Sequence, residues 1–244
     1  MFPSTSDSRL PRYQQLRDRL IDDIARNRWR PGEAVPTEAA LASEFSLSTG
    51  TVRKAIDLLV TEGILEKHQG RGTFVRRPQF SSSLFRFFRF QTPAGEKTVP
   101  ESRILSFAVQ DAPSAVAEVL NIGYPNPQAI RILRLRTVAG TPLLHEEIWL
   151  PCPLFSALKE VYLHQDSTLL YPLYERHCGQ VVASADETLT AEAVDEGHAR
   201  IMQIPPGSPI VVIERVARNF AGQPLEWRRS RGQATYFSYS VQIR

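Results

Sequence analysis

The chain has 244 residues, with 29 Lys and Arg against 26 Asp and Glu, and a formal net charge of +3. The composition, 42% hydrophobic and 23% charged, is that of a soluble globular protein of one large domain or two ordinary ones. No apolar run approaches the roughly 18 residues of a membrane span, the opening MFPSTSDSRLPRY lacks the apolar core of a secretory signal, and Cys152 and Cys178 form neither a disulfide scaffold nor a metal-type spacing. The expectation is a cytoplasmic protein with reduced thiols, no metal, no cofactor and no membrane contact. Residues 1–80 hold 13 basic and 10 acidic side chains, so the whole positive excess lies in the first third. That locates a basic surface without assigning it a partner.

Residues 11–30 read as an amphipathic helix, with Tyr13, Leu16, Leu20 and Ile24 on one stripe, ended by Pro31-Gly32. Thr37 is placed to cap a second helix, Glu38 to Phe45. Ser48 is placed to cap a third, in which Val52, Ala55, Ile56 and Leu59 form the buried face and Gly63 closes the end. Two short β-like runs follow, 64–67 and 73–76, around a tip at His68-Gln69-Gly70-Arg71-Gly72. Three helices and a hairpin, with a gap of a few residues between helices two and three, describe a winged helix-turn-helix. The predicted divisions are residues 9–77 for this domain, 78–90 for a linker and entry segment, and 91–244 for a second domain.

In a winged helix the start of the third helix enters the DNA major groove. Burying Val52, Ile56 and Leu59 leaves Ser48, Thr49, Gly50, Thr51, Arg53 and Lys54 facing the groove, with Thr37 at the head of the preceding helix. Arg53 can fork onto guanine O6 and N7. Ser48, Thr49 and Thr51 suit phosphate or base edges, and Gly50 permits close backbone approach. Arg71, between Gly70 and Gly72 at the wing tip, is aimed at the minor groove. Lys54 alone serves equally well as a solvated surface charge.

The second domain repeats itself at an offset of 82 residues, with Ala117/Ala199, Ile122/Ile204, Pro127/Pro209, Arg136/Arg218, Ala139/Ala221, Gly140/Gly222, Pro142/Pro224 and Leu143/Leu225 as matches. Each copy reads as a short helix, a Pro-containing turn, a strand, a Gly-x-Pro hairpin and a return strand. Two such units make an antiparallel sheet with pseudo-twofold symmetry and helices on one side, an α+β domain. Alternation along 127–139 puts Ile130, Ile132, Arg134, Arg136 and Val138 on one face. Two arginines on an apolar face need a partner. It is either an internal carboxylate (Glu146, Glu147, Glu214 or Glu226) or an anionic ligand, for which guanidinium forks are well shaped. An internal salt-bridge network on a solvated face is the competing reading.

Other signals carry less. His145, His164, His177 and His198 show no metal-ligand spacing, and His177-Cys178 reads as a helix end. No Gly-x-Ser-x-Gly elbow or phosphate-binding glycine loop occurs. The aromatic-basic run Leu84 to Phe90 reads as core packing or domain docking, and the cluster Arg228 to Arg231 as a solvated strand.

The runs Tyr13-Gln14-Gln15-Leu16, Pro31-Gly32-Glu33-Ala34-Val35-Pro36-Thr37-Glu38, Thr51-Val52-Arg53-Lys54-Ala55, Glu62-Gly63-Ile64-Leu65 and Gly70-Arg71-Gly72-Thr73-Phe74-Val75 closely resemble the GntR family of bacterial transcription regulators. The resemblance implies a homodimer on a near-palindromic operator. Where the family usually has Arg after the capping serine, this chain has Thr49. Residues 84–243 resemble the UTRA effector domain of HutC-type GntR regulators, on Arg134-Leu135-Arg136, Ala139 to Leu143, Glu146, Trp149-Leu150-Pro151, Leu170-Tyr171, Tyr174, Gly179 and Gln223 to Glu226. By that resemblance Arg134, Arg136, Glu146, Tyr171 and Glu226 line a pocket for a small, often anionic metabolite, a carboxylate or a phosphate. The family's usual Ser-Leu-Tyr reads Leu169-Leu170-Tyr171 here, and 228–232 departs from its aspartate-bearing pattern. The function implied is a repressor without catalytic chemistry. Since the UTRA fold resembles chorismate lyase, an enzyme domain fused to a DNA-binding module is one alternative, and a purely dimerising second domain another.

Overall fold

The computed structural model describes residues 9–78, 100–123, 127–161 and 169–237. The chain divides into two units after Pro78. The segment 79–99, which holds the Phe85 to Phe90 run and most of the linker, lies outside the described residues.

The N-terminal unit holds α1 (Arg12–Ala25), α2 (Glu38–Phe45), α3 (Thr49–Thr61) and the hairpin β1 (Leu65–His68) and β2 (Gly72–Val75). Helix α1 stops well short of Pro31. Asn27 adopts φ 60°, a left-handed conformation that asparagine tolerates, and the Arg28 N–H turns back to the Asp23 carbonyl at 2.9 Å. That break swings Trp29 into the core. Residues 26–30, with Arg26, Arg28 and Arg30, fit a helical period but do not extend the helix. Thr37 and Ser48 cap as expected, accepting the backbone N–H of Ala40 and Thr51, each at 3.2 Å. Helix α3 buries Val52, Ala55, Ile56 and Leu59. It closes at Gly63, where φ is 72°, a left-handed conformation that favours glycine. In the wing, Leu65 pairs with Val75 and His68 with Gly72. A third segment, 33–35, pairs along β2, the Val35 N–H donating to the Thr73 carbonyl at 2.9 Å.

The C-terminal unit comprises β3 (Glu101–Asp111), α4 (Ser114–Val119), β4 (Gln128–Val138), β5 (Thr141–Pro151), α5 (Cys152–Phe155), α6 (Leu170–Cys178), β6 (Ser184–Ala193), α7 (Glu196–Met202), β7 (Pro209–Arg218) and β8 (Pro224–Gln233). Its six strands form one antiparallel sheet in the order β3-β4-β5-β8-β7-β6. The predicted repeat is visible as two three-stranded halves joined along β5 and β8. The 82-residue offset holds for β5 and β8, but pairing registers relate β4 to β7 by 81. Both copies carry a bulge at the same place, between Arg136 and Thr137 and between Ala217 and Arg218. Arg136 therefore corresponds to Ala217 and Arg134 to Arg215, and the match of Arg136 with Arg218 is out of register. The second hairpin turn is one residue longer, which restores the 82-residue offset beyond it.

Helices cover both faces of the sheet, not one. The repeat helices α4 and α7 pack on the face of Ala129, Trp149, Ile210 and Val212. The α5–α6 segment packs through Phe155 and Tyr174 on the opposite face, against Ile130, Ile132, Ile148 and Leu150. It follows the first copy and has no counterpart among the described residues after the second, so the repeat could not announce it.

Candidate functional site

The first cluster of interest is the exposed edge of α3. Ser48, Thr49, Gly50, Arg53 and Lys54 are exposed and Thr51 is half-buried. Ser48 and Thr51 join through their hydroxyls at 2.8 Å, which locks the first turn. Arg53 Nε donates to Glu38 Oε2 at 2.9 Å while its side chain stays 65% exposed. The Thr37-capped start of α2 thus holds Arg53 through a partner that an incoming phosphate or guanine can displace. Lys54 leans the other way, its Nζ 3.9 Å from the centroid of the Tyr13 ring, and is anchored to α1 rather than grouped with Arg53. Gly70 and Gly72 take φ 72° and 118°, and Arg71 between them is exposed at the tip. Glu38 is the participant that the sequence reading missed. Its position as the first residue after a cap, one short gap from α3, was the available signal.

The second cluster lies on the α6-covered face of the sheet. Register places Arg134 of β4, Glu146 of β5 and Ser230 of β8 side by side, with Ile132, Ile148, Arg228, Arg215 and Glu187 in the adjoining row. Arg134 and Arg136 are each 1% exposed, Glu146 and Glu226 fully buried. Arg134 Nε donates to Glu146 Oε2 at 2.6 Å, and Arg228 Nη1 and the Ser230 hydroxyl donate to Oε1, each at 3.3 Å. Arg228 Nη2 donates to Glu226 Oε2 at 2.8 Å. Helix α6 brings Tyr171 and Tyr174, whose hydroxyls donate to Glu226 at 3.2 and 2.7 Å. Arg215 pairs with Glu187 and donates to the Tyr171 oxygen at 3.2 Å. Arg136 donates to the Pro100 carbonyl at 3.1 Å. All five predicted effector residues therefore sit on one face.

Burial dominates the electrostatics here. It opposes charge on Glu146, yet Arg134, Arg228 and Arg136 outweigh it and hold the carboxyl well below the usual range. Burial pushes the Arg136 guanidinium down to about 10 against the pull of Glu146. Burial also works against Arg228, but Glu226 and Glu146 prevail and raise its pKa well above the ordinary value. Desolvation, then Glu226, raises Tyr171, and more so Tyr174, so both hydroxyls remain donors.

The expected carboxylate partners divide by face. Glu146 and Glu226 serve the cluster, whereas Glu147 takes Arg131 at 2.8 Å and Glu214 lies 3.7 Å from Arg229, both on the opposite face. The reading of 228–231 as a solvated strand is overturned, since Arg228, Ser230 and Arg231 are buried. Strand β8 is central in the sheet, and alternation along it would have put Glu226, Arg228 and Ser230 with Arg134. The salt-bridge network is internal but not solvated, and it is incomplete. Arg134 Nη1, Arg228 Nε and Ser102 Oγ are buried without a hydrogen-bond partner. Among the described residues no three His, Cys, Asp or Glu side chains gather to hold a metal ion, and no helix is long and apolar enough to cross a membrane.

A wing-bearing helix-turn-helix joined to this sheet agrees with the family comparisons. Residues 12–75 match the bacterial regulatory proteins of the gntR family, and residues 95–238 match the UTRA domain. The chain belongs to the GntR family. Its order of a winged helix followed by a UTRA domain is the HutC-type architecture. It is 30% identical to the mannosyl-D-glycerate transport/metabolism system repressor MngR of Escherichia coli K12 over 90% of each chain. It is 28% identical to the transcriptional repressor NagR of Bacillus subtilis over 91% of this chain and 90% of that one. The crystal structure of PhnF from Mycobacterium smegmatis shares the fold, with a TM-score of 0.54 at 21% identity, covering 96% of this chain and 99% of the other. This GntR-family protein is a DNA-binding transcription regulator with an effector domain, not an enzyme. The lyase alternative is set aside.

Proposed function

We propose that the protein is a cytoplasmic, homodimeric repressor, with residues 9–77 reading DNA, 78–90 linking, and 91–244 binding effector and dimerising. Two α3 helices enter successive major grooves of a near-palindromic operator. Ser48, Thr49, Gly50 and Thr51 approach the backbone and base edges, Arg53 exchanges Glu38 for guanine or phosphate, and Thr37 supports the entry. Arg71 enters the minor groove. Lys54, tied to Tyr13, supplies charge more than readout.

The effector is a small anionic metabolite held at Arg134 and Arg136, with Glu146, Tyr171 and Glu226 around it. The observation that carries this reading is the buried Arg134 guanidinium beside Arg136, with Nη1 left open. A cation that deep, with a donor unspent, is arranged for an anion. The relative MngR is named for a mannosyl-D-glycerate system, and a glycerate carries a carboxylate. Binding favours one arrangement of the paired effector domains, and half-sites about 34–36 Å apart tolerate little change in the spacing of two recognition helices. The effector acts only through its differential affinity for the two arrangements.

Genome-wide footprinting would supply the operator, and fluorescence anisotropy on that fragment tests the reading. A panel of carboxylates and phosphates should contain a compound that shifts operator affinity. Arg134→Ala with Arg136→Ala, once thermal melts show the variant folded and it binds the operator without effector, should abolish the shift. An unchanged response in that variant would remove the two arginines from the effector site.

A further inference from the structure

Donors and acceptors on the cluster face are used unequally. A carboxylate offers about four lone-pair sites. Glu146 accepts Arg134 Nε at 2.6 Å on one oxygen, which also lies 2.6 Å from Nη2. Arg228 Nη1 and the Ser230 hydroxyl, each at 3.3 Å, occupy the other. Glu226 accepts two tyrosine hydroxyls and Arg228 Nη2, and Glu187 is turned to Arg215. The carboxylate acceptors are therefore nearly all taken. What remains open is of the opposite kind: Arg134 Nη1 and Arg228 Nε, N–H groups on side chains 1% and 5% exposed. They come from β4 and β8, on either side of Glu146 on β5. The Ser102 hydroxyl, across from Arg136 on β3, is also buried without a hydrogen-bond partner and can either donate or accept.

We infer that Arg228 is a specificity-determining residue of the effector site, and that it selects an acceptor-rich carboxylate, a dicarboxylate or an oxo acid, over a polyhydroxylated sugar acid or sugar phosphate. This rests on the proposed effector role of Arg134 and Arg136 and narrows it. Each ligand hydroxyl brings a hydrogen that needs an acceptor, and a buried hydroxyl without one is disfavoured. Arg228 occupies an oxygen of Glu146 and of Glu226, which withdraws the carboxylate acceptors that a sugar's several hydroxyls would use. It then presents its own Nε to a second ligand oxygen. Its guanidinium lies 5.5 Å from the centroid of the Tyr171 ring, which further restricts its movement.

Calorimetric titration of the full-length protein with succinate, 2-oxoglutarate, gluconate and glucose 6-phosphate tests the inference. Succinate or 2-oxoglutarate should bind at least about tenfold more tightly than gluconate or glucose 6-phosphate, and Arg228→Gln should collapse that difference. The wild-type panel stands by itself if the variant does not fold. Equal or tighter binding of gluconate or glucose 6-phosphate overturns the acceptor-rich ligand class while leaving the anion site in place. An undiminished difference in folded Arg228→Gln overturns the role of Arg228. If none of the four binds at millimolar concentration, or if binding survives Arg134→Gln unchanged, the underlying anion site fails and this inference with it.

Discussion

Arg53 and Arg134 show two ways of keeping a guanidinium ready for a partner. Arg53 stands 65% exposed on α3 with one displaceable carboxylate, so water screens its charge and its pairing contributes little to stability. Arg134 is 1% exposed in the middle of a sheet, where Glu146 offsets the cost of burying its charge. The exposed face of α3 can thus be altered without disturbing its own core, which Val52, Ile56 and Leu59 build from the other side of α3. In the effector sheet the groups proposed to bind also hold the fold together. A ligand taking the open Arg134 Nη1 and Arg228 Nε would join that same network, which is a physical means of converting binding into movement.

The largest effect should come from Glu146→Ala, which strands Arg134 and takes from Arg228 one of its two carboxylates. Urea denaturation should show a loss of about 3–5 kcal/mol; a loss below about 1 kcal/mol would erase the contrast. Next comes acid sensitivity on the opposite face of the same sheet. Burial, with His198 and Arg231 nearby, pushes the His145 pKa from 6.5 down to about 4, and neither ring nitrogen has a hydrogen-bond partner. Between those pH values the unfolded chain binds a proton that the folded chain refuses. The stability is present in full above pH 6.5 and declines as pH falls towards 4, by up to about 3 kcal/mol. Denaturation curves at pH 7 and pH 5 should reveal the slope, and His145→Leu should flatten it.

Arg53→Ala should weaken operator binding by about 1–3 kcal/mol, with unfolding stability unchanged within about 0.5 kcal/mol. Anisotropy and thermal melts on one preparation check both halves, and a large stability loss would place Arg53 with the buried arginines. The smallest effect concerns α6. Leu169 occupies its N-cap with φ −123° and no side-chain cap bond, and it is 44% exposed. Leu169→Ser should supply the missing acceptor and stabilise the protein by about 0.5–1 kcal/mol, read as a rise in Tm.

Local order was legible wherever one residue type has one strong local use. Thr37 and Ser48 announce helix starts, Gly63 an ending, and Gly70-Arg71-Gly72 a tip, because capping and left-handed turns are settled within a few residues. Helix α1 was overextended because nothing in 26–30 forbids a helix. The pull of Trp29 into the core ended it. The repeat predicted a symmetric antiparallel sheet, and alternation put Arg134 with Arg136. A fixed 82-residue offset then mispaired Arg136, because a one-residue difference in a turn moves every side chain beyond it to the other face.

By itself the sequence determined the winged helix, its exposed Arg53 and Arg71, the two-copy sheet and the need of Arg134 for a partner. Periodicity and local turn chemistry carry that information over short distances. Only the tertiary structure decided which carboxylate answers Arg134, that Arg228 is buried beside it, and that α6 closes the same face. Those outcomes depend on strand order and on which strands are central. Neither is written in any one segment, because partners distant along the chain become neighbours only when β5 and β8 pair.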